Sequence, residues 1–136
     1  MQVFPNGDFS VRTSLVETFQ STMSECFIRT VRDMLGSAVT SEVCRLLEQN
    51  GIPPRDIASR FDEVVEILTH SFGSSARVLV YKTVASLYEE YSLRPSFGFY
   101  DSLKDRVALL REKVISDLLK PRHSPSVDDS IYIATR

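Results

Sequence analysis

The chain has no tryptophan, two cysteines and two histidines in 136 residues. Two isolated cysteines, Cys26 and Cys44, cannot supply the usual four-ligand zinc site. Each lies inside a helical pattern and reads as a buried free thiol rather than half of a disulfide. No charge of one sign dominates: 16 basic and 18 acidic residues are interleaved and leave a net −2. Such a surface does not attract a polyanion over long range. No stretch approaches the roughly 18 uninterrupted apolar residues of a membrane span. Residues 1–10 lack a basic region followed by an apolar run, so no secretory signal is expected and the cytoplasm is the expected compartment.

The catalytic motifs are also missing. No serine stands in a Gly-x-Ser-x-Gly elbow. Neither Gly36-Ser37 nor Gly73-Ser74 has the glycine spacing of a phosphate-cradling loop. They are helix corners first and anion-holding helix starts only second. His70 follows Glu66 and Asp62 by four and eight residues, which puts the three on one helix face. A histidine at the negative end of a helix, with solvated carboxylates before it, explains that face better than a metal site. A di-iron bundle needs Glu-x-x-His twice, and the pattern is absent. His123, beside Pro121 and Arg122, is not placed for chemistry. The expectation is a non-enzyme with no catalytic, cofactor or metal residues.

What is present is helical periodicity. Leu15, Phe19, Met23, Cys26 or Phe27, Val31 and Met34 recur every three or four residues and predict a long first helix ending at Leu35. Ser14 with Glu17 has capping-box spacing, and Ser21–Ser24 is a candidate break. Residues 1–9, with Pro5 and Asn6-Gly7, read as a lead-in. Gly36 predicts a corner, with a second helix from Ser37 to Gln49 stopped by Asn50-Gly51. A third helix is expected from Pro54 to about Ser71, a second corner at Gly73, and a fourth helix to about Tyr91. A fifth is expected from Ser102, capped against Asp105, to about Leu119. Its stripe is Leu103, Val107, Leu110, Val114 and Leu118.

Two stretches look like copies. Leu35-Gly36-Ser37-Ala38 and Phe72-Gly73-Ser74-Ser75 open helices 37 positions apart. The closings align Val43, Leu46, Leu47 and Ile52 with Val84, Leu87, Tyr88 and Leu93, 41 positions apart. The difference of about one turn keeps the apolar face nearly in phase. The expected architecture is therefore all-α: a five-helix bundle of antiparallel neighbours, with two pseudo-repeated helix-corner units and a long N-terminal helix across them. Residues 1–120 form one domain and residues 121–136 a flexible C-terminal tail with an isolated apolar triplet, Ile131–Ile133.

Together with Phe61–Leu68 and Leu87-Tyr88-Glu89-Glu90-Tyr91, these corners resemble small helical domains of archaeal proteins. Those domains are mostly uncharacterised, and they include output domains of signalling and regulatory proteins of ammonia-oxidising archaea. The resemblance covers about residues 33–119. It implies a regulatory or interaction role in an archaeal cytoplasm and assigns no ligand residue.

The function expected is a regulatory or adaptor domain working through protein–protein contacts, as a homodimer and with an unknown protein partner. Candidate surface residues are Phe97, Phe99 and Tyr100, in a loop beside Gly98, with Leu15 and Phe19 on the first helix. One alternative is a DNA-binding transcriptional regulator using Lys104, Arg106, Arg111 and Lys113. Interleaved Asp105, Glu112 and Asp117 favour a solvated face with i,i+4 pairs instead. A second alternative is a small ligand-binding protein or enzyme with a pocket near His70 or the aromatic loop.

Overall fold

A computed structural model describes residues 3–95, 98 and 102–123 of the chain. Among them every regular element is helical: α1 (Val3–Gln49), a 3-10 turn (Pro54–Asp56), α2 (Phe61–Phe72), α3 (Ser75–Glu90) and α4 (Leu103–Asp117). The all-α expectation therefore holds, with four α-helical runs in place of five.

The first of these runs absorbs two expected helices. Its hydrogen-bonded course is broken at Gly36, where φ is 89° and ψ is 169°. That region is essentially closed to residues with a Cβ. Thr40 Oγ1 donates to the Gly36 carbonyl at 2.8 Å and gives that acceptor a partner. Phe27 and Val31, before the break, share one buried cluster with Val43 and Leu47 after it. A straight helix would hold Phe27 and Leu47 about 30 Å apart.

α1 also reaches back to Val3, so residues 3–9 continue the helix and are no lead-in. Pro5 is tolerated there because the first helical turn has no N–H bonds to lose. Ser14 is consequently an interior position and not a cap. The poor helix formers Ser21–Ser24 do not break the run either. Their neighbours Phe19, Met23, Cys26 and Phe27 are 2% exposed or less, and tertiary burial overrides the local propensity.

The expected third helix divides. Pro54 opens a 3-10 turn, and α2 begins only at Phe61. Arg60 holds that start together: Nη1 donates to the Gly51 carbonyl at 2.6 Å, while Nε and Nη2 grip Glu63 at 3.0 and 2.7 Å. α2 ends at Gly73, with φ 65°, and α3 turns back against it.

α1, α3 and α4 end alike. Ile52 N–H donates to the Leu47 carbonyl at 2.9 Å, Leu93 to Tyr88 at 3.0 Å and Leu119 to Val114 at 3.0 Å. Each six-to-one bond follows a left-handed residue: Gly51, Ser92 and Leu118. This is the Schellman stop, in which the residue after the turn folds back onto the helix. The first two endings are the proposed repeat, but α4 lies outside it and closes the same way. A common helix stop accounts for the likeness without duplication. It also explains why Leu118 leaves the α4 stripe: at the left-handed position it is 61% exposed, while Leu119 packs against the core.

The connection α3–α4 departs from an antiparallel hairpin. Val80 and Val84 cluster with Leu103, at the start of α4, whereas Leu87 and Tyr91 cluster with Leu110 and Val114. Tyr88 Oη donates to the Arg106 carbonyl at 2.8 Å between them. Later residues of α3 thus meet later residues of α4, so the two helices run the same way. Residues 91–102 are long enough to carry the chain back, as crossovers in some bundles do. α1 lies antiparallel to both, with Phe19 and Met23 opposite Tyr91 and Val114.

Candidate interaction surfaces

Where α2, α3 and the start of α4 meet, they leave a groove of about 800 Å³ open to solvent. Its apolar lining comes from Phe61, Val65, Val78, Val80 and Leu103. Phe61 is central. It is half-buried, packs against all three clusters, and meets the Phe27 ring edge-on at 6.0 Å. The parallel α4 creates the groove by placing Leu103 beside Val80 rather than beside Tyr91.

The mouth of the groove is polar and mostly basic. Lys104 Nζ reaches Asp62 Oδ2 at 3.1 Å across it, with both side chains well exposed, and Arg77 stands on the α3 side. The N-terminal ends of α3, at Gly73-Ser74, and of α4, at Ser102, also line it. Ser102 Oγ accepts the Asp105 N–H at 3.3 Å, as the capping-box spacing predicted. The remaining first-turn N–H groups add a partial positive charge.

A second cluster lies at the opposite end of α3. Glu90 is only 7% exposed. Its carboxylate accepts the backbone N–H of His123 at 3.0 Å, faces His123 Nδ1 at 3.0 Å and lies 3.5 Å from Arg29. Its own carbonyl accepts the Arg122 N–H at 2.6 Å. Arg29 continues the network by donating to Ser86 Oγ at 3.0 Å and to Cys26 Sγ at 3.5 Å. Burial alone would raise the Glu90 pKa, but the bonds from His123 and the charge of Arg29 outweigh it and hold the carboxyl below its ordinary range.

This network does not make a nucleophile. Burial pushes the Cys26 thiol up, with Ser86 and Arg29 offsetting only part of the shift. The histidine bonds to Glu90 rather than to sulfur, so no base stands ready to take the thiol proton. What the cluster does is fasten the segment after α4 to the end of α3. It is not legible from residue spacing, because Glu90 and His123 are 33 residues apart with no periodic relation.

The residues singled out from sequence fall as follows. Leu15 and Phe19 are 8% and 2% exposed, so the chain's own core uses them and they form no surface. Phe97, Phe99 and Tyr100 lie outside the described residues. Of the candidate nucleic-acid contacts, Lys104 is paired with Asp62 and Lys113 with Asp117 at 2.9 Å. Arg106 is half-buried, and Arg111 is exposed. His70 and Glu66 are exposed on α2, and Asp62 is turned to Lys104. No group of three metal-ligating side chains converges among the described residues. Cys26 and Cys44 are both free thiols.

No described helix is long and apolar enough to cross a membrane. No family model, curated protein or solved structure matches the chain.

Proposed function

We propose that this chain is a non-enzymatic regulatory or adaptor module that acts through protein–protein contacts and works as a homodimer. The observation that carries the reading is the end of α1. The helix is formed from Val3, yet the first described side chain to reach the core is Leu15. Of residues 11–14 only Thr13 is partly covered, and Val11 stays 50% exposed. Val11 is thus an apolar side chain on an otherwise polar turn of α1, four residues ahead of the first described core side chain. A second copy laid against that turn covers it by an isologous contact.

The groove between α2, α3 and α4 is the adaptor half of the proposal. It is open rather than enclosed and has an apolar floor with a charged mouth, which suits a chain segment of another protein. Its volume also falls in the range of small-ligand pockets, and that observation favours a ligand-binding protein as the second reading. DNA binding is the weaker alternative, because Lys104 and Lys113 already face carboxylates. Kinship with the archaeal output domains belongs to the same proposal.

Sedimentation equilibrium over a wide concentration range tests it. The expected result is a dimer mass that Val11→Glu shifts towards monomer with the helical circular dichroism largely kept. A monomer mass at every concentration overturns the homodimer.

A further inference from the structure

Asn50-Gly51, the pair that stops α1, carries a reaction of its own. The side-chain amide carbon of Asn50 is an electrophile, and the backbone nitrogen of Gly51 is a nucleophile within reach of it. Glycine sets no side chain beside that nitrogen, and even an added Cβ would meet nothing within 4 Å. Both residues are exposed, so water reaches them. In the folded stop every group that must move is nevertheless held. Asn50 Nδ2 donates to the Leu46 carbonyl at 2.9 Å, and the Gly51 N–H donates to the Glu48 carbonyl at 3.0 Å. Arg60 Nη1, from beyond the 3-10 turn, donates to the Gly51 carbonyl at 2.6 Å, and its double bond to Glu63 keeps it there.

We propose that Asn50-Gly51 is a self-modification site that the helix stop keeps closed, with Arg60 as the latch. When the stop opens, the Gly51 nitrogen attacks Asn50 Cγ. The N–Cγ bond forms, the Cγ–Nδ2 bond breaks, and Nδ2 departs as ammonia with the proton that Gly51 gives up. Water then opens the cyclic imide at either carbonyl. One opening yields aspartate, and the other yields isoaspartate, with the main chain running through Cγ. The net change is amide and water to acid and ammonia, with nothing oxidised or reduced. Either product weakens the stop. The acid no longer donates to the Leu46 carbonyl, and it brings negative charge to the negative end of α1. Isoaspartate also adds a main-chain carbon between Leu47 and Ile52, whose mutual bond holds Ile52 in the core cluster. The modification therefore loosens the joint between α1 and α2 in a way that refolding does not reverse.

The test is ageing of the full-length chain in neutral buffer, followed by peptide mapping with mass spectrometry. Mapping separates position 50 from the other such pair, Asn6-Gly7. A synthetic peptide of residues 46–55 in the same buffer is the reference. Position 50 should convert about tenfold more slowly in the folded chain than in the peptide, giving both aspartate and isoaspartate. Hydrogen exchange of the Gly51 N–H in the unaged chain reads the same opening and should show protection of similar size. Arg60→Met should bring conversion to within about twofold of the peptide while helical circular dichroism is kept. Glu63→Gln, which weakens the hold on Arg60 without touching the stop, should give a smaller acceleration and replaces Arg60→Met if that variant does not fold. A parent chain that converts as fast as the peptide has no latch, and a peptide that does not convert has no site. Either result overturns the proposal. So does aspartate without isoaspartate, which marks direct hydrolysis, and so does a Gly51 N–H that exchanges while position 50 never converts. A folded Arg60→Met chain that converts at the parent rate removes Arg60 from the latch. The readout needs neither a partner nor a dimer, so its failure is distinct from a monomer result in sedimentation.

Discussion

Glu90, near the end of α3, holds His123 through two contacts at 3.0 Å, one to the backbone N–H and one to ring Nδ1. A carboxylate 7% exposed is thereby used to fasten a segment that begins after α4. The bonds are charge-assisted, and such bonds contribute more than neutral ones. Replacing Glu90 by glutamine keeps the shape and one acceptor but removes the charge that Arg29 and His123 face. The expected loss is about 1.5 kcal/mol in urea unfolding, with an unchanged m-value. A loss below about 0.5 kcal/mol would show that the contact is no more than a surface ion pair.

The same carboxyl gives stability a pH dependence. Its folded pKa lies below the ordinary value of 4.5. In acid the unfolded chain therefore takes up the proton first. The contribution is complete above pH 4.5 and is lost as the pH falls through the folded pKa. The stability difference between the parent chain and Glu90→Gln should accordingly be constant near neutrality and shrink below pH 4.5. Taking the difference removes the other carboxylates, such as Glu63, whose pKa Arg60 lowers through its hydrogen bonds. A difference that stays flat down to the acid unfolding transition would detach the effect from Glu90 ionisation.

Gly36 offers a test of backbone conformation alone. An added Cβ would meet nothing within 4 Å, so no clash opposes a side chain there. The φ of 89° and ψ of 169° do. Gly36→Ala is expected to cost about 1–3 kcal/mol, the range for residues forced into such regions. Gly51, at φ 79° after α1, also has open space around it. It sits in the left-handed region, where alanine costs about 1–2 kcal/mol. Urea unfolding of both variants checks the order. If Gly36→Ala is neutral, the bend at position 36 is not held in solution.

These positions also show what the sequence could reveal. The bends at Gly36 and Gly73 were legible because glycine after an apolar stripe leaves few alternatives. The Ser102 cap was legible because its partner is three residues away. The stripe from Leu15 to Val31 was legible because helical period and burial coincide there. The direction of α4 was not. Its apolar spacing is the same whether it runs with α3 or against it, and only the pairing of Leu103 with Val80 decides. The groove depends on that pairing, so it was hidden as well. Propensity misled at Ser21–Ser24, where core packing prevails, and at Leu118, where the Schellman stop turns an in-phase leucine outwards. The Glu90–His123 contact joins residues that share no period, so no pattern along the chain announces it.

Tyr91 supplies the last test, because its ring and its hydroxyl have different fates. The ring is 4% exposed and lies against Phe19, with centroids 5.9 Å apart. The hydroxyl is buried without a hydrogen bond of good geometry, as is the Thr22 hydroxyl that approaches it. Burial pushes the Tyr91 pKa up to about 12, and Thr22 offsets little of it. A buried polar group without a partner carries its full desolvation cost, so Tyr91→Phe should leave stability unchanged or raise it by about 1 kcal/mol. The alkaline limb gives an independent readout. Unfolded tyrosine ionises near pH 10 while folded Tyr91 stays neutral to about pH 12, so the parent chain loses stability as the pH rises through that interval. Tyr91→Phe should lose less, keeping the smaller part due to Tyr88, whose pKa burial also raises. Unfolding curves at pH 8 and at pH 11 separate the two chains. A Phe variant that is less stable than the parent by more than about 1.5 kcal/mol at pH 8 would mean that the hydroxyl holds a buried water.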